Sequence, residues 1–161
     1  MISIRGIVPG AGTATAGYYL DSSPFGFVRV QIAPDADTYD LSRIEVLRGP
    51  QGTLYGASSL SGVVRVLTND PNLTDLQAKA RLSSSMTEGG GTNYRADAAV
   101  NVPLIEGVLA ARAVVGYQDL SGWIDRPIRD DANETEIRNM RLKVNAQPTD
   151  ALSVGLSAWL W

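Results

Sequence analysis

Residues 43–71 read RIEVLRGPQGTLYGASSLSGVVRVLTNDP, and the pattern of the chain differs on either side of this segment. Within it, glycines and small polar residues separate two apolar runs, IEVL at 44–47 and VVRVL at 63–67, which predict short β-strands. After it, apolar and polar residues alternate almost to the end of the chain. The segment therefore predicts a compact, turn-rich unit that ends where a regular β-sheet begins.

The alternation predicts five antiparallel strands, at residues 76–86, 94–102, 109–118, 140–147 and 152–160. In each strand one row of side chains is apolar and rich in alanine, and the other row is polar. All charged residues in these windows lie on the polar row: Lys79, Arg81, Arg95, Asp97, Arg112, Arg141 and Lys143. The apolar side chains are even-numbered in four strands and odd-numbered in the third, so each strand has two chemically distinct faces.

Two interpretations fit this alternation: a soluble antiparallel sheet with one wet face, or part of a transmembrane barrel with lipid outside. Alanine-rich rows would pack poorly in a sandwich core but suit contact with lipid. Tilted strands of about 9–11 residues are long enough to cross a bilayer. Short connections, PLIEG and PTD, alternate with longer ones, TEGGGTN and DRPIRDDANE. The pattern favours the barrel, with Tyr94 and Tyr117 in an aromatic girdle beside the longer loops.

The composition excludes several classes of function, because the residues that they depend on are absent. The chain of 161 residues has no cysteine and no histidine, so Ser-His and Cys-His catalysis and zinc-thiolate sites are excluded. No acid/base couple is visible, and we predict no enzyme activity and no cofactor. Asp35, Asp37 and Asp40 lack the glycine and terminal glutamate of an EF-hand, so no metal site is predicted. The net charge of −3 and the scattered basic residues argue against a nucleic-acid partner.

The first half predicts a small mixed α/β unit. ISIRGI at 2–7 and GYYLD at 17–21 resemble short strands around the loop VPGAGTATA. Thr38 or Asp40 is positioned to cap a helical turn from Leu41 to Ile44, ahead of the strand IEVL. The N-terminus MISIRGIVPG lacks the basic and apolar regions of a signal peptide, which indicates either a cytosolic protein or a chain without its true beginning.

These motifs, in this order, resemble the plug domain of TonB-dependent outer-membrane receptors. IRG at 4–6 and GYYLD at 17–21 match its earlier strands, and the segment from Ile44 to Pro71 resembles its end. The family often has two adjacent glycines where this chain has Ser61 and Gly62, so a positive φ at position 61 is in question. Asn69 and Asp70 stand where the family commonly has a basic residue before the proline.

The resemblance implies an α/β plug over residues 1–72 followed, over 73–161, by the first strands of an antiparallel transmembrane β-barrel. Such a receptor lies in the bacterial outer membrane, contacts its lipid, binds a scarce small-molecule or metal-chelate solute such as a siderophore-iron complex, and imports it with energy from the inner-membrane TonB complex. About five strands of a large barrel of about 22 strands leave unpaired sheet edges. We therefore predict an internal fragment of a receptor, with a soluble β-rich binding or adhesion module as the alternative.

The resemblance also implies roles for individual residues. The plug loops at 8–16 and 22–32 would form the floor of the solute site. Its predicted contacts are Gly12, Thr13, Phe25, Phe27 and Arg29. Aromatic faces and a fixed cation suit a large organic chelate, although Phe25 and Phe27 could equally anchor their loop to the plug core.

The resemblance further implies that a second set of residues forms the structural motif of the plug. Its members are Arg5, Gly6, Glu45, Arg48, Gly49, Pro50, Gly52, Tyr55, Gly56 and Gly62. Arg5, Arg43, Glu45 and Arg48 are expected to form ion pairs within the plug or between plug and barrel, because charges enclosed in a lumen need partners.

Overall fold

The computed structural model describes residues 16–24, 39–56, 59–124 and 131–160. The chain divides into two compact units, residues 1–69 and residues 70–161. Each unit has its own β-sheet among the described residues, and the two sheets share no strand.

The first unit contains a four-stranded mixed sheet. Its strands are β1 (Ala16–Leu20), β2 (Ser23–Pro24), β3 (Leu41–Arg48) and β4 (Gly62–Thr68), in the spatial order β2-β1-β4-β3. β4 runs parallel to β1 and antiparallel to β3, which leaves it with a neighbour on both sides. Its β-branched residues suit this position, and Val63 and Val66 are buried together with Leu20 of β1.

The helical turn predicted over Leu41 to Ile44 is wrong, because β3 begins at Leu41 and pairs with β4 along its length. Asp40, one of the two predicted caps, has a φ of 61° in the turn before β3, and Thr38 lies outside the described residues. Ladder hydrogen bonds to a distant strand outweigh a weak local helical signal. In the described part of this unit the helix is a single turn, α1 (Gly52–Tyr55), inside the glycine-rich segment.

The second unit is a five-stranded antiparallel meander, which confirms the five strands predicted from alternation. The strands are β5 (Gln77–Met86), β6 (Thr92–Ile105), β7 (Leu109–Leu120), β8 (Thr135–Thr149) and β9 (Leu152–Leu160). Each pairs with its neighbour in sequence, in the order β5-β6-β7-β8-β9. Three of them are longer than the alternation indicated: β6 begins at Thr92 and ends at Ile105, β7 ends at Leu120, and β8 begins at Thr135 and ends at Thr149.

Connection lengths differ between the two ends of the strands in this meander. The connections at 106–108 and 150–151 are short and lie at one end. The connections at 87–91 and 121–134 are longer and lie at the opposite end. This is the arrangement that the sequence indicated for a barrel wall. Among the described residues, no helix has the length and apolar character that a membrane crossing would require.

Candidate functional site

The three central strands of the five-stranded sheet, β6 to β8, bury charged and polar side chains on one face, and the sheet exposes apolar side chains on the opposite face. We call the row containing Asp97, Asn101, Arg112 and Lys143 the inner face, and all four of these residues are buried. The opposite row, the outer face, includes Leu82 at 83% and Leu156 at 69% exposure. A soluble sheet would bury the leucines and hydrate the charges. The inverse distribution suits a sheet whose outer face meets lipid.

The strand register keeps each face continuous across the sheet. On the outer face Ala98 lies opposite Val115, and Leu142 lies between Ala113 on one side and Ala158 on the other. On the inner face Arg112 lies opposite Asn101 and Lys143. Because side chains alternate with period two, a slip of one residue would carry the inner charges to the outer face, so burial fixes the register.

Asp97 is the centre of an ion-pair cluster on the inner face. Its Oδ2 accepts hydrogen bonds from Arg81 Nε at 2.8 Å and from Arg95 Nε at 2.8 Å, and its side chain is 1% exposed. Both arginines come from neighbouring positions of the sheet, Arg81 directly across from Asp97 and Arg95 two residues before it. The two cations make it favourable for this carboxylate to be buried and charged.

Aromatic side chains mark the long-loop end of the outer face. Tyr94 and Tyr117 are both exposed there, which is where a membrane girdle places tyrosines. The guanidinium of Arg138 lies 6.0 Å from the centre of the Tyr117 ring and pairs with Glu136. Trp159 occupies the inner face opposite Arg141, so it and the two tyrosines lie on opposite faces of the sheet.

In the first unit, Glu45 joins two strands and the helical turn. Its carboxylate accepts a hydrogen bond from Arg43 Nε at 2.7 Å and another from Arg65 Nη1 at 2.7 Å. The guanidinium of Arg65 lies 5.9 Å from the centre of the Tyr55 ring, and the Tyr19 hydroxyl donates to the Tyr55 carbonyl at 2.6 Å. The hydrogen bond from Arg43, together with both arginine charges, holds the pKa of Glu45 below its usual value despite partial desolvation. This network holds α1 against the sheet.

Sequence reasoning named Glu45 and Tyr55 but missed Arg65 and Tyr19. Arg65 interrupts the apolar run VVRVL, and a charge within a central strand signals a partner on a neighbouring strand. Tyr19 gave no comparable signal, because its role depends on where the helical turn lies.

Three motif glycines have backbone angles that favour glycine. Gly49, Gly56 and Gly62 have φ values of 94°, 68° and 148°, whereas Gly52 has no positive φ and opens α1. The positive φ of the Ser61-Gly62 turn thus falls on Gly62. The turn at Pro50 is closed by hydrogen bonds from Gly49 N to Ser61 O at 3.1 Å and from Gln51 N to Ser59 O at 2.9 Å.

Asn69 and two aspartates close the other end of this sheet, which the sequence analysis did not foresee. Asp21 follows β1, and its carboxylate accepts from the backbone N–H of Thr68 at 2.8 Å. Asn69 donates from Nδ2 to Asp40 Oδ1 at 2.9 Å. Both aspartates have positive φ, which short polar side chains tolerate. The polar Asn69 therefore fits this site by binding the turn before β3.

The residues predicted to contact a solute lie outside the described part of the chain. These are Gly12, Thr13, Phe25, Phe27 and Arg29, and the same holds for Arg5 and Gly6 of the motif. Arg48 is the last residue of β3, opposite Gly62, and Pro50 lies in the turn that follows. Among the predicted motif residues, the structure thus pairs Arg48 with Gly62 and links Glu45 to Tyr55 through Arg65.

A sheet that exposes apolar rows and buries charges, continuous in sequence with a small turn-rich α/β unit, defines a plugged outer-membrane barrel protein. Residues 1–63 match the family model of the TonB-dependent receptor plug domain. The chain belongs to the TonB-dependent receptors, proteins of the bacterial outer membrane.

Individual relatives agree with this assignment. The ferripyoverdine receptor of Pseudomonas aeruginosa is 32% identical over 122 residues, covering 75% of this chain and 14% of the relative. The pesticin receptor of Yersinia pestis is 29% identical over 116 residues, covering 69% and 16%. The crystal structure of the ferric yersiniabactin uptake receptor FyuA from Yersinia pestis aligns with a TM-score of 0.76 and 25% identity, over 98% of this chain and 24% of that chain.

These relatives are receptors rather than enzymes, as the sequence predicted. The chain spans between 14% and 16% of the length of the two curated relatives described above. The rest of each relative therefore has no counterpart in these residues.

Proposed function

We propose that this chain is the plug and first wall segment of an outer-membrane receptor that binds a scarce metal chelate, such as a siderophore-iron complex, and imports it with energy from the TonB complex. The observation that carries the proposal is the inverted sheet, with charges on its inner face and leucines on its outer face, following a plug motif. Relatives named as a ferripyoverdine receptor and as a ferric yersiniabactin uptake receptor support an iron chelate as the solute.

The proposal includes a division of the chain at residues 72 and 73, with the plug before it and the barrel wall after it. It also assigns Gly12, Thr13, Phe25, Phe27 and Arg29 to the floor of the solute site. Aromatic faces contact the organic part of a chelate, and a guanidinium attracts its anionic groups.

Uptake of radiolabelled metal chelates tests this function in cells that express the full-length receptor under iron limitation. We expect saturable uptake of at least one chelate, which disappears in a strain without TonB. Uptake that persists without TonB would contradict the energy source, and absence of binding and uptake across chelates of several chemical classes would contradict the solute.

Variants of the proposed contacts locate the site. Phe25→Ala and Arg29→Ala should weaken binding of the chelate to the purified receptor by about tenfold each, since each removes a direct contact. Glu106→Gln in the short β6–β7 turn is the control and should bind like the wild type. Equal affinities in all variants would remove these residues from the site.

The structure argues against the alternative function, a soluble β-rich binding module. A monomeric soluble sheet would expose the charges of the inner face and bury Leu142 and Leu156, and the described sheet does the reverse.

A further inference from the structure

Residues 70–76, which we call the connector, lead the chain into β5 and are held by Asn101. Asn101 lies on the inner face of β6 and is 0% exposed. Its Oδ1 accepts a hydrogen bond from the backbone N–H of Asn72 at 2.8 Å. Its Nδ2 donates to the carbonyl oxygens of Asn72 at 2.9 Å and of Asp75 at 2.7 Å. One buried amide thus satisfies three backbone groups of the connector.

Two further elements of the same unit hold the connector. Lys143 of β8, 6% exposed, donates from Nζ to Asp70 Oδ1 at 2.9 Å. The backbone N–H of Gly107, in the β6–β7 turn, donates to the carbonyl of Leu73 at 2.9 Å. The connector is therefore attached at separate points to β6, to the turn after it and to β8.

The connector is also ordered within itself. The side chain of Asn72 folds back along the chain, and its Oδ1 accepts from the backbone N–H groups of Thr74 at 2.8 Å and of Asp75 at 3.0 Å. Its Nδ2 donates to Asp75 Oδ2 at 2.9 Å. This turn fixes the backbone in the conformation that hydrogen-bonds to Asn101, so the connector loses little conformational entropy when it binds to β6.

We propose that the connector is a permanent anchor on the barrel wall, and that Asn101 and Lys143 are positioning residues that keep it there while the plug unit moves. This inference rests on the proposed function, in which the plug moves to admit the solute. Hydrogen bonds to a fully buried amide are costly to break, because no water replaces them until the connector has left. The part of the plug that moves therefore ends before Asp70, and the connector, which includes residues 70–72 at the end of the proposed plug, stays with the wall.

Hydrogen exchange followed by mass spectrometry tests the anchor in the full-length receptor reconstituted in lipid nanodiscs. The urea concentration is raised, below the level that unfolds the receptor, until the amides of residues 41–68 exchange through local opening. We expect residues 70–76 to remain protected together with β6 and β7 at that concentration. Exchange of 70–76 in step with 41–68 would overturn the anchor.

The variants Asn101→Ala and Asn93→Ala form a matched pair. Both asparagines lie on the inner face of β6, and Asn93 binds Ser121 and Thr87 at the long-loop end. Asn101→Ala should accelerate exchange of residues 70–76 by about tenfold or more, with β7 unchanged. Asn93→Ala should affect only the long-loop end. Exchange of 70–76 within twofold of the wild type in Asn101→Ala would overturn the role of Asn101.

Lys143→Met gives a second reading if Asn101→Ala does not assemble. It keeps the length of the side chain and removes the ion pair to Asp70, and we expect exchange of residues 70–76 to rise by about threefold. Unchanged exchange there would contradict the anchor. Chelate uptake by the wild-type receptor is measured separately, since its absence would overturn the proposed function while the exchange pattern alone decides the anchor.

Discussion

In the four-stranded sheet of the first unit, the plug sheet, the inner strand β4 buries Val63 and Val66. In the five-stranded sheet of the second unit, the wall sheet, the central strand β7 buries Arg112 and exposes Val115 and Tyr117. Both strands are rich in valine, and both pair with a neighbour on each side. The difference lies in what surrounds them. In the plug sheet, β4 buries apolar side chains as in an aqueous protein, although β3 at its edge exposes Ile44 and Val46. The wall instead turns its apolar rows toward lipid, so the central strands of the two sheets follow opposite burial rules.

The wall still contains apolar residues on its inner face, including Val114 and Ala110. They lie on the inner row of β7 on either side of Arg112, and Val114 is opposite Arg141. The inner face is therefore distinguished by the charged residues that it carries, and the outer face by the exclusion of charge from contact with lipid.

The largest effect is expected from placing a charge on the outer face at the middle of β8. Leu142→Lys should destabilise the wall by about 2–4 kcal/mol, because a lysine at the bilayer midplane loses its hydration. Folded receptor in outer-membrane fractions, measured by heat-modifiable gel mobility, should fall sharply. Asn139→Lys adds the same charge to the inner face of the same strand and should assemble normally. Similar losses in both variants would break the contrast between the two faces.

Removal of a charge from the inner face is the reciprocal change. Asp97→Asn should cost about 2 kcal/mol, since it leaves Arg81 and Arg95 beside a neutral amide. The cost is below that of a fully buried pair, because the Arg81 side chain is 39% exposed. Urea unfolding of the reconstituted receptor measures it. Asp119→Asn, on the opposite row of β7, is the control, and an equal midpoint for both variants would show that Asp97 contributes no more than a surface carboxylate.

Backbone geometry gives a test within the plug alone. Gly56→Val should cost about 1–3 kcal/mol, because Gly56 combines φ 68° with ψ −152°, a region that valine rarely adopts. No atom lies within 4 Å of an added Cβ there, so the cost comes from the backbone and not from a clash. Protease resistance of the plug and chelate uptake should both decline. Gly52→Ala should be tolerated, and loss of function in Gly52→Ala with normal Gly56→Val would refute this assignment.

The smallest effect is expected at Glu45, whose ion pairs are accessible to water. Because Arg43 and Arg65 lower its pKa in the folded state, Glu45 contributes stability above its unfolded pKa, near the ordinary value of 4.5, and loses it as the pH falls through the folded pKa. Urea unfolding of the wild type and of Glu45→Gln should differ at neutral pH and converge as the pH falls through the lowered pKa of Glu45 in the folded state. A difference that stays constant at acidic pH would contradict the ion pair as its source.

Much of this architecture could be predicted from local pattern. The five wall strands and the identity of their two faces follow from alternation, because period two is set by the geometry of a single strand. The plug motif was recognisable through its glycines and its RGP turn. The wrong helical turn at Leu41 to Ile44 shows the limit, since β3 is selected by pairing with β4 at residues 62–68, which no local window contains.

The sequence by itself determined which side chains share a face, since that depends only on the two-residue repeat of a strand and on the cost of a charge in hydrocarbon. Tertiary structure decided which residues meet: Glu45 with Arg65, Asp97 with Arg81, and Asn101 with the backbone of Asn72. Such contacts depend on distances between atoms far apart in the chain, and register and turn geometry fix those distances only when the sheet has formed.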